Sequence, residues 1–303
     1  MRATLMFLAI ACLASCADAN ETESKPAETP ETEAPKAALP GTMGEGWRQV
    51  HPDNLVIITT HFGDIYLELN DQFAPRHADR FRDMVKQRTY NGARFYRVID
   101  GFVAQGGLND RIDTGKWPNL VNENERDITP ETPFEPLGND DLFAPLVGHV
   151  SGFAVGRNPE TNKEWLLHCP GAMAMARDTD PDSGGTEFYI ALAPQRYLDR
   201  NLTVFARVLS GMEYVQKLQR GDPKVNSGVI SEPEKRDKIL SMKMASELDE
   251  GQRPVFEVMD PQSMAFSRAK SAKRNRKGDF FYNTPPAVID VCGFETPTEQ
   301  LNR

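Results

Sequence analysis

Residues 95–107 read FYRVIDGFVAQGG, and this stretch decides how the chain folds. Apolar and aromatic side chains predict a strand up to Ile99, Gly101 breaks it, and a second apolar run ends in a glycine pair. Arg97 and Gln105 stand inside these otherwise apolar runs. A guanidinium or an amide among strand residues must reach water, find polar partners or serve a site. Arg97 and Gln105 are therefore the first candidates for functional residues.

The order F-Y-R-V-I-x-G-F-V-x-Q-G-G resembles the active-site signature of the cyclophilin-type peptidyl-prolyl cis-trans isomerases. The similarity spans about residues 54–222 and follows the family's order. It includes a hairpin with G-D-I, a helix that begins near Pro75, and the blocks at 171–177, 182–190 and 197–208. It ends at 211–218, where the spacing of apolar residues predicts a second helix. The resemblance implies a mainly β fold: an eight-stranded antiparallel barrel capped by two helices, with a long insertion and a C-terminal extension.

The resemblance also assigns the site. An X-Pro bond isomerises slowly because the amide must lose its resonance when it twists. In the family an arginine, here Arg97, donates to the twisted prolyl nitrogen, while Phe102 and Gln105 line the proline pocket. These three are the predicted catalytic residues. The predicted substrate-binding residues are Val103, Ala176, Arg177, Glu187, Tyr189, Tyr197 and Leu202.

Four of these residues depart from the family's usual pattern. Tyr189 stands where phenylalanine is typical, so its hydroxyl enters the pocket wall and needs a partner. Tyr197 replaces a common tryptophan, and Leu202 replaces a common histidine. Glu187 replaces glutamine and adds a negative charge near Arg97. These departures leave an alternative open, namely a peptide-binding module with the same fold and little or no isomerase activity.

The first residues predict export. Met1-Arg2 is followed by an apolar run and by Leu13-Ala14-Ser15-Cys16, which resembles a bacterial lipobox. We expect residues 1–15 to be a lipoprotein signal peptide and Cys16 to carry a lipid anchor. The alternative is a plain secretory signal that is cut near Ala17-Asp18-Ala19. Residues 16–46 are rich in Glu, Thr and Pro, which predicts a disordered linker. The expected location is the bacterial cell envelope, facing the periplasm.

The rest of the chain divides into a barrel domain at 47–231, with an insertion at about 108–170, and an extension at 232–303 that packs on it. We expect the insertion to lie beside the pocket rim. Residues 268–277 are strongly basic, which predicts either a solvated helix face or a patch for anionic lipid or for the acidic linker. Residues 279–282 and 287–292 are expected to form short strands or packed tail segments.

Composition restricts the partners. The net charge of −9 gives no reason to expect nucleic acid. The five histidines show no metal-ligand spacing, and no cofactor is expected. Cys169 and Cys292 remain after export, so they form either a disulfide or two buried thiols. The resemblance implies proline-containing polypeptides as clients, and we expect a monomer that is tethered to a membrane through Cys16.

Overall fold

The computed structural model describes residue 44 and residues 46–108 and 116–301. The predicted signal peptide, Cys16 and almost all of the predicted linker lie outside these residues. Among the described residues, the α-helices are α1 (Pro75–Lys86), α2 (Met212–Val215) and α3 (Met264–Arg274). The strands are β1 (Trp47–Gln49), β2 (Leu55–Thr60), β3 (Gly63–Leu69), β4 (Arg94–Val98), β5 (Val103–Gly107), β6 (Arg126–Asp127), β7 (Glu135–Pro136), β8 (Leu146–Val150), β9 (Phe153–Asn158), β10 (Lys163–Leu166), β11 (Ala172–Met175), β12 (Phe188–Ala191), β13 (Val204–Ser210), β14 (Asp237–Lys238), β15 (Ser241–Met244), β16 (Phe256–Met259) and β17 (Thr298–Gln300).

The main sheet is antiparallel and runs in the order β14-β4-β5-β12-β11-β13-β3-β2-β15. Its two outermost strands are successive parts of one segment, because only Ile239 and Leu240 separate β14 from β15. The Ile239 amide donates to the carbonyl of Ala93, and the Leu240 amide donates to that of Thr59. Residues 237–244 therefore join the two ends of the sheet as an eighth strand. The predicted eight-stranded antiparallel barrel is confirmed.

The predicted boundary at residue 231 was wrong for this reason. The segment that closes the barrel lies within 232–303, which the sequence analysis assigned to an extension. Two short runs of two and four residues carry little periodicity of their own. Their strand character comes from the open edges of β4 and β2, whose backbone groups need partners.

The first helix is confirmed. Pro75 stands in its first turn, and Ala78, Phe81, Met84 and Val85 are buried against the barrel at helical spacing. The second helix is shorter than predicted. Only Met212–Val215 is α-helical, although Val215 and Leu218 are both buried in the barrel core. The chain then turns back to β4, where the Gly221 amide donates to the carbonyl of Val98.

The insertion is an ordered sheet in the described residues, in the order β6-β10-β9-β8-β7. Ser151 and Gly152 join β8 to β9 with positive φ angles of 49° and 83°, as two-residue hairpins of right-handed twist require. Val150, Phe153 and Leu166 pack in one cluster with the barrel residues Val103 and Tyr189. The insertion therefore covers part of the outer face of the barrel and packs against the predicted pocket wall.

The C-terminal part of the chain packs on the insertion. β16 pairs with both β1 and β17, and Phe266 of α3 shares a cluster with Trp165 and Leu167. A disulfide joins Cys169 to Cys292, as the sequence allowed. The tail residues near Cys292 are packed. Residues 279–282 form neither a strand nor a packed segment, so that part of the expectation was wrong.

Candidate active site

The site begins with an irregularity in β4. Phe95 pairs with Gly106 of β5, but Arg97 pairs with the next residue, Gln105, so Tyr96 is an extra residue in β4. Such a β-bulge turns the following side chain to the other face of the sheet. Phe95 consequently points into the barrel core, whereas Arg97 lies on the opposite face beside Gln105.

One cross-strand row carries the polar groups. Arg97 pairs with Gln105, and Gln105 pairs with Tyr189 of β12. Directly paired residues of antiparallel strands project from the same face. The three side chains predicted from distant parts of the sequence therefore stand side by side on the outer face of the barrel.

The Arg97 guanidinium is held by two hydrogen bonds. Its Nε donates to the carbonyl of Ser227 at 2.9 Å, and its Nη1 donates to Gln105 Oε1 at 3.3 Å. Its Cζ also lies 5.4 Å from the centre of the Phe102 ring. Burial lowers the pKa of Arg97, partly offset by Tyr96, but an arginine stays protonated at neutral pH. The cation is therefore fixed in direction beside an aromatic face.

Gln105 connects this arginine to Tyr96. Its Nε2 donates to the Tyr96 hydroxyl at 2.6 Å while its Oε1 accepts from Arg97. Burial raises the pKa of the Tyr96 hydroxyl, so that hydroxyl stays neutral. Both ends of the amide are engaged, and this fixes its orientation. With its amide nitrogen directed to the Tyr96 hydroxyl, Gln105 presents its carbonyl oxygen to Arg97.

The apolar residues predicted for the pocket wall lie together in one cluster. Val103 and Tyr189 are buried, and Phe102, Ala176 and Leu202 pack half-buried on the same cluster. This cluster adjoins Arg97 through the Phe102 ring. The site therefore places an apolar surface next to a fixed cation.

Sequence reasoning missed the partner of the Tyr189 hydroxyl. That hydroxyl lies 2.8 Å from Nε2 of His168, which is fully buried, and Nδ1 of His168 lies 3.1 Å from Asp199 Oδ1. Asp199 in turn pairs with Arg196 at 2.6 Å, and Arg196 pairs with Asp141 of the insertion at 2.9 Å. From the sequence, His168 was only one of five histidines without metal-ligand spacing. The unusual tyrosine in the pocket wall was the one available signal that a polar partner lies behind it.

Three predicted substrate-binding residues lie outside the apolar wall. Glu187 accepts from the Leu108 amide at 2.7 Å and interacts with Tyr96, while Arg97 bonds to Ser227 and Gln105. Arg177 donates from Nε and Nη2 to the carbonyl of Asn201. Tyr197 is exposed in a short turn. The structure thus gives Glu187 and Arg177 supporting contacts rather than a place in the apolar wall.

A separate cavity of about 500 Å³ lies between the barrel wall and the C-terminal tail. It is lined by residues such as Ala172, Arg207 and Thr296, and none of the predicted catalytic residues reaches it. Within the described ranges, no cluster of three His, Cys, Asp or Glu residues is arranged to hold a metal ion. In the same part of the chain, no helix has the length and apolar character that a membrane span needs.

Comparison with known proteins identifies the class. The model of the family described as "Cyclophilin type peptidyl-prolyl cis-trans isomerase/CLD" matches residues 55–244, more than half of the chain. This chain belongs to that family and is a peptidyl-prolyl cis-trans isomerase. The match ends at the last residue of β15, in agreement with the strand that closes the barrel.

Individual relatives agree with this assignment. A "Probable peptidyl-prolyl cis-trans isomerase" of Brucella suis is 31% identical over 186 residues, which is 61% of this chain and 80% of the relative. The human "Peptidyl-prolyl cis-trans isomerase-like 1" is 28% identical over 182 residues, 60% of this chain and 85% of that protein. The crystal structure of cyclophilin AquaCyp293 from Hirschia baltica matches with a TM-score of 0.69 and 28% identity. It covers 84% of this chain and 93% of its own. That coverage exceeds the barrel, so part of the added structure is shared as well.

Proposed function

We propose that Arg97 is the catalytic residue of this isomerase and that the wall of Phe102, Val103, Tyr189 and Leu202 binds the proline ring. The proposal rests on the hydrogen-bond donors of the Arg97 guanidinium that the described part of the protein leaves unused. Two of its five N–H groups donate to Ser227 and Gln105, and the other three have no hydrogen-bond partner among the described residues. The guanidinium that carries them lies beside the wall, with its Cζ 5.4 Å from the centre of the Phe102 ring.

The geometry suits the twisted amide better than either planar form. When the X-Pro bond rotates, the prolyl nitrogen becomes pyramidal and gains a lone pair that a planar amide does not offer. A preorganised cation that donates to this lone pair lowers the barrier, because the interaction exists only in the transition state. The apolar wall holds the ring while the preceding carbonyl turns. Neither a nucleophile nor a cofactor is needed for this step.

The experiment is Arg97→Ala, with cis-to-trans conversion of an Ala-Pro test peptide as the measurement. We expect kcat/KM to fall by about 10²-fold or more, the typical effect of removing one transition-state donor. Arg94→Ala is the matched control, since Arg94 is on the same strand but donates to the carbonyls of Pro233 and Arg236. Equal rates for Arg97→Ala and the parent protein would refute the proposed role.

We further propose that the enzyme assists the folding of exported proteins from the bacterial cell envelope, as a monomer anchored through Cys16 and facing the periplasm. The support is the lipobox-like sequence before Cys16 and the acidic linker that follows it. Labelling cells with a radioactive fatty acid tests the anchor. The parent protein should incorporate label and partition with membranes, and Cys16→Ser should do neither. Label on the Cys16→Ser protein would contradict the proposal.

A further inference from the structure

Residues 268–282, here called the basic–aromatic arm, comprise most of α3 and the loop that follows it. Every residue from 275 to 284 is exposed, including three successive aromatic side chains. Phe280 is 91% exposed and Tyr282 is 98% exposed, and the Phe280 and Phe281 rings meet edge to face at 5.5 Å. Large aromatic side chains grouped in water in this way mark an interaction surface more often than a solvated loop.

The arm also carries a charge of opposite sign to the net charge of the protein. It contains six basic residues and one acidic residue, Asp279, in a chain whose net charge is −9. Lys270 pairs with Glu135, and Arg274 donates to the carbonyl of Leu137. The remaining cations form no ion pair with any carboxylate that the structure describes. They are Arg268, Lys273, Arg276 and Lys277.

The cations and the aromatic rings are close together whatever the exact path of the loop. Only two residues separate Lys277 from Phe280, so their Cα atoms are at most about 11 Å apart. The arm is also held at both ends. Phe266 is buried before it, and Ile289 and Cys292 are buried after it, the latter in the disulfide to Cys169. The arm is therefore presented on the folded protein rather than trailing as a free terminus.

We propose that the basic–aromatic arm docks on the surface of an anionic phospholipid bilayer. Lysine and arginine near such a surface are attracted to its negative headgroups, and aromatic rings prefer the depth of the headgroups. The arm combines basic side chains with exposed aromatic rings. The acidic linker at 16–46 is a poorer occupant, because it offers charge but almost no large apolar side chain for the aromatic rings. Docking does not depend on Cys16, so this inference stands apart from the proposed lipid anchor.

The test is sedimentation with two kinds of vesicle. One kind is phosphatidylcholine alone, and the other, the anionic kind, also contains about 30 mol% phosphatidylglycerol. The protein is the chain from Ala17 to Arg303, which lacks both the apolar leader and Cys16. We expect it to bind the anionic vesicles only, and to be released by high salt.

Two arm variants and one control separate the contributions. Arg276→Gln with Lys277→Gln should weaken binding by about fivefold for each charge removed. Phe280→Ser with Tyr282→Ser should weaken it by about tenfold, from lost burial of aromatic surface. Lys238→Gln with Lys243→Gln makes the same charge change at exposed barrel positions and should leave binding unchanged. Isomerase rates should be equal in all four proteins, which shows that each is folded.

Several results would overturn the inference. They are no binding to anionic vesicles, equal binding to both vesicle types, or an equal loss in the barrel control. Absence of vesicle binding together with capture of a peptide of residues 17–43 would show that the acidic linker occupies the arm. A failure of isomerase activity would concern Arg97 and its pocket, and would leave vesicle binding untouched.

Discussion

At the scale of single residues, the site is a set of polar groups that fix one another's direction. Arg97 is held by a backbone carbonyl and by Gln105, and Gln105 is held by Tyr96. The Ser227 carbonyl comes from a turn in which Asn226, Ser227 and Gly228 all have positive φ. That conformation is costly for the two non-glycine residues, and it places the carbonyl against the guanidinium.

Tyr189→Phe tests the buried network behind the pocket wall. The change leaves Nε2 of His168 without its hydrogen-bond partner in a fully buried position. We expect the free energy of unfolding to fall by about 1–3 kcal/mol. The kcat/KM should change by less than about threefold, because phenylalanine keeps the apolar wall. Urea unfolding and the peptide assay provide the two measurements.

Tyr197→Phe is the matched control for this variant, since Tyr197 is an exposed residue. It should leave the free energy of unfolding within about 0.5 kcal/mol of the parent value. If Tyr189→Phe is as stable as the parent protein, the hydrogen bond to His168 does not contribute to folding.

At the scale of elements, the barrel depends on the strand at 237–244. Its first two residues pair with β4 and its last four pair with β2. Ile239, at the joint, is fully buried in the barrel core, and its neighbour Leu240 is 51% exposed. Ile239 and Leu240 can therefore be compared as a buried and a half-exposed side chain of the same strand.

Ile239→Ala should lower the free energy of unfolding by about 2–5 kcal/mol, because it leaves a cavity where both halves of the closing strand meet the core. Leu240→Ala removes a side chain of the same size from a half-exposed position and should cost less than about 1 kcal/mol. Denaturant unfolding of both variants gives the comparison. Similar losses would mean that Ile239 is not a core residue of the barrel.

At the scale of the whole molecule, barrel, insertion and tail are held together by contacts remote in sequence. His149 of β8 is one of these. Its Nε2 lies 3.2 Å from the carbonyl of Phe294 in the tail, and its ring packs against Phe266 and Phe294. Because a carbonyl only accepts, Nε2 carries the proton, and burial lowers the pKa of His149 to about 4.

This pKa predicts a pH dependence of stability. The unfolded histidine has a pKa of about 6.5, so the unfolded chain binds the proton more readily than the folded one. The contribution of neutral His149 is complete above about pH 6.5 and is lost as the pH falls towards 4, by up to about 3 kcal/mol. Urea unfolding at pH 7 and pH 4.5 should show this loss, and His149→Phe should reduce it. If His149→Phe loses as much unfolding free energy between pH 7 and pH 4.5 as the parent protein does, His149 is not the source of that loss.

The disulfide is the second remote contact. Cys169 and Cys292 are 123 residues apart, and a cross-link over such a loop restricts the unfolded chain. We expect the double variant Cys169→Ala with Cys292→Ala to lose about 2–5 kcal/mol of unfolding free energy. Its isomerase rate should be unchanged, because neither cysteine reaches the apolar wall of the site. A reducing agent should lower the stability of the parent protein only.

Much of this protein could be predicted from its sequence because the signals are local. The signature at 95–107 identified β4, β5 and the isomerase family, and the periodic apolar residues after Pro75 identified α1. The resemblance of the signature to the cyclophilin-type family assigned Arg97, Phe102, Gln105 and the apolar wall to the site, and their roles stay predictions. The strands and the first helix rest on neighbours within one element, where the side-chain period is fixed by backbone geometry.

Only the tertiary structure decided the features that depend on a partner strand. Simple alternation would put Arg97 on the same face as Phe95, and only pairing with β5 reveals the bulge at Tyr96 that turns it to the site. The partner of Tyr189, His168, lies 21 residues away and meets it through packing. The closing strand at 237–244 exists because β4 and β2 leave backbone groups unpaired. Strand pairing is non-local, so a sequence read along its length does not contain the register directly.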